Sequence, residues 1–360
     1  MILRRIITVL LAIQVALLEA HFGLGHGAAP MVIVMVEGFD HLTAAQTTLK
    51  GWTNAPASVV AGRFDGQAAR TNSAGATAAT KTLPGTYTTL FVGFAWRSAS
   101  TLSARNIMVL KAGATLTYRI TTDASGHIAI LNSSGTTIAT GTTVLTTNVW
   151  YYIESKAVIN GASGSCEVKL NGVSEIATTT GNFGSSGITA INYTSGGNGN
   201  NTDWDDIYVA DSTGSAPNNT YLGDVRVETI YPNGAGAHTA WTPNGAANNW
   251  DCVDETPPDD DTTYVSDATP NDIDSYACID IDGGATVYAV QVNLYARKDD
   301  AVTRQIAPLI RQSSTDYVGT TVTMASTYAF YSQLYDQDPT PAAWTAAHVN
   351  ADEFGVKEIA

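Results

Sequence analysis

Charge is scarce in this chain, and positive charge is scarcer still. Asp, Glu, Lys and Arg make up 14% of the 360 residues, with 18 Lys and Arg against 33 Asp and Glu, a formal net charge of −15. Binding a phosphate backbone needs clustered Lys and Arg that displace counterions, so no nucleic acid is expected as partner. An anionic membrane surface is disfavoured for the same reason, and no membrane partner is expected. Neutral glycans and cations remain. Cysteine is nearly absent: Cys166, Cys252 and Cys278 are too scattered for a disulfide framework, and no two have the Cys-x-x-Cys spacing of a zinc site. Cys166 alternates with Val168 and Leu170 and reads as a buried apolar side chain. Cys252 and Cys278 lie in neighbouring predicted strands, open to one disulfide or to two buried thiols in a reducing cytoplasm. The six histidines fall in no Ser/His/Asp or Cys/His context, and no Gly-x-Ser-x-Gly elbow is present. After residue 40 there is no long apolar stripe of period 3.6 and no solenoid repeat.

What is present is alternation of period two. In residues 150–159, Tyr151, Ile153, Ala157 and Ile159 share one face, while Glu154 and Lys156 share the other. Cys166, Val168 and Leu170 continue the first face on the next strand, and Glu167 and Lys169 the second. Asn171-Gly172 signals a type I′ hairpin, because both residues tolerate positive φ. Residues 87–96 are apolar in both phases, which predicts a strand covered on both sides. Further strands are expected at 31–39, 116–120, 127–131, 203–209, 287–296, 305–311 and 327–335, with an irregular or helical excursion at 43–52. Turn signals at this spacing indicate β-sandwiches.

Residues 1–30 carry Arg4 and Arg5, an apolar run from Ile6 to Leu18 and the small residues Gly27-Ala28-Ala29, the outline of a signal peptide. Met31 and Met35 offer the rival explanation, an upstream extension outside the fold. Residues 212–220 lack large apolar side chains and carry Pro and Gly, as linkers do. The expected division is thus a signal-like or spurious extension at 1–30, a first domain at 31–211, a linker at 212–220 and a second β-sandwich at 221–360.

The aromatic strand, charged-faced strand, Asn-Gly turn and closing Asp205-Asp206-Ile207-Tyr208-Val209 together resemble the laminin-G-like, concanavalin-A-like jelly roll. With Glu37-Gly38-Phe39-Asp40 near the start and Ala343-Trp344-Thr345 then residues 350–357 at the end, the layout resembles virion proteins of tailed phages over about residues 36–360. The resemblance implies an all-β, concanavalin-A-like (laminin-G-like) sandwich followed by a second one. It also implies a tail-fibre, spike or capsid-decoration role, other virion proteins as partners and a homo-oligomer. A secreted glycan-binding or adhesin protein is the alternative, with residues 1–30 then a true signal peptide.

Four sets of residues are candidates for a site. In the resembling jelly rolls the first and last strands are neighbours, which would bring Glu37 and Asp40 near Asp205 and Asp206 as oxygen ligands for Ca²⁺. The other reading of these acids is turn capping, or ion pairing with Arg63 or Arg70. Tyr193, Asn198, Asn200, Asn201, Asp203 and Trp204 have the makings of a glycan site, with rings to stack on C–H groups and amides and carboxylates for hydroxyls. They are equally readable as a Gly/Asn connection with both rings buried. Trp241, Asn244, Asn248, Asn249 and Trp250 form a weaker cluster of the same kind. Asp259, Asp260 and Asp261 sit in an acidic stretch with no Lys or Arg between Arg226 and Arg297, a solvated loop or a second cation loop. Glycoside hydrolases need two carboxyls flanking the sugar bond. Those of this architecture carry Glu-x-Asp-x-x-Glu on one strand, which this chain lacks. The expectation is a non-enzymatic protein that attaches to surface glycans.

Overall fold

The computed structural model describes residues 7–18, 33–54, 56–71, 79–100, 102, 104–194, 201–213 and 220–360, the first of these segments as backbone only. Nearly every element is a strand; the α-helices are the short Gln46–Leu49 and Ala346–Ala351. Among the described residues no helix is long and apolar enough to cross a membrane. The chain divides into two compact units, residues 29–39 with 43–227, and residues 1–28 with 40–42 and 228–360. Of the expected linker, residues 214–219 lie outside the described residues.

The first unit is an antiparallel β-sandwich. One sheet runs Val173–Gly181, Gly164–Leu170, Tyr151–Val158, Thr89–Ser98, Thr202–Asp211, Gln67–Thr71, Ser58–Ala61, with Ile33–Glu37 also paired to Thr202–Asp211. This is the eight-stranded sheet. The facing seven-stranded sheet runs Thr137–Val144, His127–Leu131, Thr115–Thr122, Arg105–Ala112, Ile188–Tyr193, Ala79–Tyr87, Trp52–Thr53.

The alternation visible in the sequence decides the inner face. Ile153, Ala157, Cys166, Val168 and Leu170 are buried, and Ser155 between them meets Tyr118 of the opposite sheet, hydroxyl to hydroxyl, at 2.6 Å. Tyr193 closes the centre against Phe94, with ring centroids 5.4 Å apart. On the other side of the eight-stranded sheet Glu154 lies opposite Lys169 and Lys156 opposite Glu167, so unlike charges pair across the strands. Asn171 and Gly172 turn the hairpin with φ of 49° and 79°, both left-handed as a type I′ turn requires. Thr89–Ser98, apolar in both phases, is buried on both faces.

In the second unit one sheet runs Thr242–Asn244, Tyr264–Ser266, Ile7–Leu18, Thr286–Lys298, Ala329–Tyr335. The other runs Pro232–Thr239, Ile273–Cys278, Glu353–Glu358, Gln305–Gln312, Thr315–Val318, with Val322–Thr323 paired to Gln305–Gln312. Trp241, Tyr276, Val290, Val292, Leu294 and Phe354 are among its core residues. Ile7–Leu18, part of the stretch read as signal-like or as an extension outside the fold, is an internal strand of this unit. It pairs antiparallel with Thr286–Lys298 from Ile7 opposite Lys298 to Leu18 opposite Thr286. The three cysteines carry free thiols.

Candidate functional site

Strand Ile33–Glu37 does lie beside Thr202–Asp211, with Glu37 opposite Ile207. The acids expected to share one cation nevertheless turn to different partners. Glu37 accepts from Lys50 Nζ at 2.9 Å and from Trp52 Nε1 at 3.2 Å. Burial pushes the Lys50 ammonium down to about 8 even beside that carboxylate. Asp205 accepts the backbone N–H of Arg63 at 2.8 Å and that of Asp206 at 2.9 Å. Asp206 accepts the Val227 N–H at 2.8 Å, and its second oxygen lies 3.6 Å from the Arg63 guanidinium. Asp40 belongs to the other unit. Among the described residues no group of three or more His, Cys, Asp or Glu side chains is arranged to hold a metal ion.

The glycan-loop residues meet a similar fate. Asn198 and Asn200 lie outside the described residues. Tyr193 and Trp204 are each 1% exposed, 6.0 Å apart between ring centroids, with Trp52 and Phe94 also against Tyr193. A ring enclosed on both sides offers no face to a sugar, which corrects the expectation for both. Asp203 is fully buried and takes Arg70 at 2.7 and 2.9 Å and Arg97 Nη2 at 2.7 Å. Its oxygens are committed to two guanidinium groups. Asn201 is half-buried at the strand entry, its carbonyl accepting from the Ala99 N–H at 3.0 Å.

In the second unit the acidic loop is tied down by its own neighbours. Asp259 accepts from the Thr263 N–H at 3.2 Å, Asp260 from the Tyr295 hydroxyl at 2.8 Å, and Asp261 from Arg297 at 2.8 Å and the Tyr328 hydroxyl at 2.9 Å. Arg297, distant in sequence, supplies the missing counter-charge. Trp241 is buried, and Asn249 bonds the Trp241 carbonyl at 2.8 Å and Asp274 at 2.7 Å, so these two serve the interior, while Asn248 is exposed and Asn244 and Trp250 are half-buried.

Carboxyls raised by burial also lie on the outward face of the eight-stranded sheet, beneath residues 221–227. Glu154 accepts from the Tyr208 hydroxyl at 2.6 Å and the Gly223 N–H at 2.9 Å, and burial raises it above the usual carboxylate range. Burial likewise pushes Asp206 up to about 7. Perturbed acids often mark active sites, but Glu154 and Asp206 are at most 2% exposed. They staple the covering segment and meet no solvent.

An accessible hollow opens on the outer face of the seven-stranded sheet. It has a volume of about 430 Å³, in the size range of small-molecule sites, roughly 300–1,000 Å³. Thr121 and Ala129 form its floor, paired in register and joined by the Thr121 hydroxyl donating to the Ala129 carbonyl at 3.2 Å. Both face away from Tyr118 and Ile120, which point into the sandwich. Asn106, opposite Thr121, adds an amide, Thr137 a hydroxyl and Asp123 a carboxylate, whereas Arg105, which also borders the hollow, is buried and pairs with Thr122 on the other face. Asp123 folds its carboxylate back on its own turn, accepting the N–H groups of Ser125 at 2.8 Å and His127 at 2.9 Å and facing His127 Nδ1 at 2.9 Å. These bonds hold it below the usual carboxylate range. Amide and hydroxyl groups over a flat floor can exchange hydrogen bonds with vicinal hydroxyls.

None of these groove residues stood out in the sequence. The available signal was compositional: the strands of the seven-stranded sheet contain Lys81, Arg105, Lys111 and Arg119 and neither Asp nor Glu.

No family model and no curated protein matches the chain. Among solved structures it is similar to domain 4 of AbnA, a GH43 extracellular arabinanase from Geobacillus stearothermophilus, in complex with arabinotriose. That similarity has 14% identity over 50% of this chain and 93% of that one, with a TM-score of 0.37. The catalytic domain of the glycoside hydrolase family 131 protein from Coprinopsis cinerea matches at 12% identity over 54% of this chain and 98% of that one, TM-score 0.36. The binding domain of botulinum neurotoxin DC in complex with SialylT matches at 11% identity over 84% and 88%, TM-score 0.32.

Proposed function

We propose that this chain is a non-enzymatic attachment protein that holds surface glycans in the groove on its seven-stranded sheet. The observation that carries the reading is the groove itself, a recessed polar surface of about 430 Å³ set on a rigid sheet and lined by Arg105, Asn106, Thr121, Thr122, Asp123 and Thr137. Hydrogen-bonding side chains fixed by strands need little reorganisation to meet a ring of hydroxyls. Binding rather than hydrolysis is supported by the lining, whose one carboxylate, Asp123, is engaged within its own turn, whereas glycoside cleavage needs two. The virion part of the reading, with other virion proteins as partners, rests on the order of the motifs at 37–40, 150–211 and 343–357.

A glycan array probed with the full chain and with Asn106→Ala/Thr137→Ala tests this. Binding that falls at least about tenfold in the double variant, whose fold is unchanged by circular dichroism, is the expected result. Array binding untouched by the double variant would move the site elsewhere, and no binding at all would end the attachment reading. Mass spectrometry of purified particles tests the location; recovery only from culture medium, starting near Ala29, would favour the secreted alternative.

A further inference from the structure

The sheet edges of the second unit are unequal. Thr242–Asn244 is three residues long and contains Pro243. Pro232–Thr239 opens on a proline and breaks register twice against its neighbour. Thr315–Val318 is four residues long and carries Asp316. Short length, proline, broken register and charge all keep an edge from pairing with another chain. Ala329–Tyr335 has none of them. Its seven residues include no Asp, Glu, Lys, Arg, Pro or Gly. It runs beside Thr286–Lys298, from Ala296 opposite Ala329 to Val290 opposite Tyr335, without a register shift. Among the described residues no strand pairs with its other side. Its exposure agrees: none of the seven residues is buried, whereas the neighbouring strand is buried from Val287 to Ala296. The two faces of the strand are already occupied. Tyr331 and Tyr335 pack on the core of the unit. Phe330 and Ser332 turn to the other side, where the Phe330 ring lies 4.7 Å from that of Tyr295 and the Ser332 hydroxyl donates to Asn293 at 2.6 Å. The Tyr335 carbonyl takes the Trp344 indole N–H at 3.0 Å. What is left open is the backbone edge from Ala329 to Leu334, about 20 Å at the usual rise per residue.

We infer that this edge is the contact through which two copies of the chain associate, antiparallel and about a two-fold axis at Ser332. In that register Phe330 of one copy lies opposite Leu334 of the other, Tyr331 opposite Gln333, and Ser332 opposite Ser332. Each pair keeps to one face, so the pleat continues across the junction and two six-stranded sheets become one. Charge favours a second copy here. The chain carries −15, so two copies repel wherever their acids meet, but along residues 329–335 no charge opposes the approach. Large side chains meet large ones, and the small serine falls on the axis, where each side chain faces its own counterpart. An isologous contact closes on itself and gives a dimer instead of a filament. One pair of strands contributes little apolar area, so the association is weak and dissociates on dilution.

The test is sedimentation velocity of the full chain from about 1 to about 100 µM, over which the mean mass should rise from one chain toward two. Ser332→Lys and Ser332→Glu each set like charges face to face on the axis and should keep the chain monomeric throughout. Ser332 is exposed, so the melting temperature of the dilute protein should not change. Mixing the two variants sets unlike charges opposite each other and should restore the dimer, a recovery that damage to the fold would not give. A chain that stays monomeric at the highest concentration, or a dimer that survives in both variants, would overturn the inference. No recovery on mixing, or growth beyond two copies, would overturn it as well, because either outcome denies the two-fold register.

Discussion

At Gly93 the ring of Tyr208 lies where a side chain would begin. A Cβ built there would meet Tyr208 Cε1 at 2.0 Å, and the two residues are paired in register. The close approach lets Tyr208 reach across to Glu154, at 2.6 Å. Gly93→Ala must displace that ring and break the bond, so it should cost at least about 1–3 kcal/mol in denaturant unfolding. An unchanged midpoint would mean that the ring can turn aside freely. Asp203 offers a second test because its burial is unequal to that of its partners: the carboxylate is fully buried, whereas the Arg70 and Arg97 side chains are 25% and 23% exposed. Removing both guanidiniums strands a buried charge, so Arg70→Ala/Arg97→Ala should cost about 3–5 kcal/mol. Asp203→Asn leaves two cations that can turn to water and should cost less. Equal losses in equilibrium unfolding would refute this account. Neither effect is legible in the sequence, where Asp203 reads as a sugar ligand or as part of a Gly/Asn connection.

Elements were more legible than contacts. The hairpin at Asn171-Gly172 follows from two residues that tolerate the left-handed region, and Thr89–Ser98 from a run apolar in both phases. Ile7–Leu18 was legible as apolar but not as a strand, because an apolar run broken only by Thr8 and Gln14 carries no period that separates a secretory segment from a strand. Its place is decided by Thr286–Lys298, whose edge it occupies, with Val9 also opposite Val265. Deleting residues 1–18 would leave backbone groups of Thr286–Lys298 and Tyr264–Ser266 without their strand partner, an open edge that can pair with another chain. The truncated chain should melt lower and aggregate more readily than the full one, as read by calorimetry and light scattering. A truncated chain that associates no more than the full one and melts at the original temperature would show that the sheet closes without this strand.

For the whole molecule the buried acids set the response to pH. Burial raises Asp206 and Asp274 to about 7, Asp352 to about 6 and Glu358 to about 8. Each binds its proton more tightly folded than unfolded. The contribution of each is therefore complete below the ordinary carboxylate range, near 4, and is lost as pH rises through its folded value. Asp123, Glu175 and Asp338 are shifted the other way, so their contributions fade only in more acidic solution. The melting temperature should thus be higher at about pH 5 than at about pH 8, and Asp206→Asn with Asp274→Asn should flatten the difference. A profile rising toward alkaline pH would contradict the burial of these groups. The sequence by itself determined the period-two strands, the sharp turn at 171–172, the lack of a long helical stripe after residue 40 and the overall negative charge, since each depends on neighbours along the chain. Only the tertiary structure decided that Tyr193 and Trp204 are core and that Arg297 answers Asp261. It alone placed Lys111 and Arg119 on one face of their sheet and Arg105 on the other, because alternation defines two sides of a strand but not what packs against either of them.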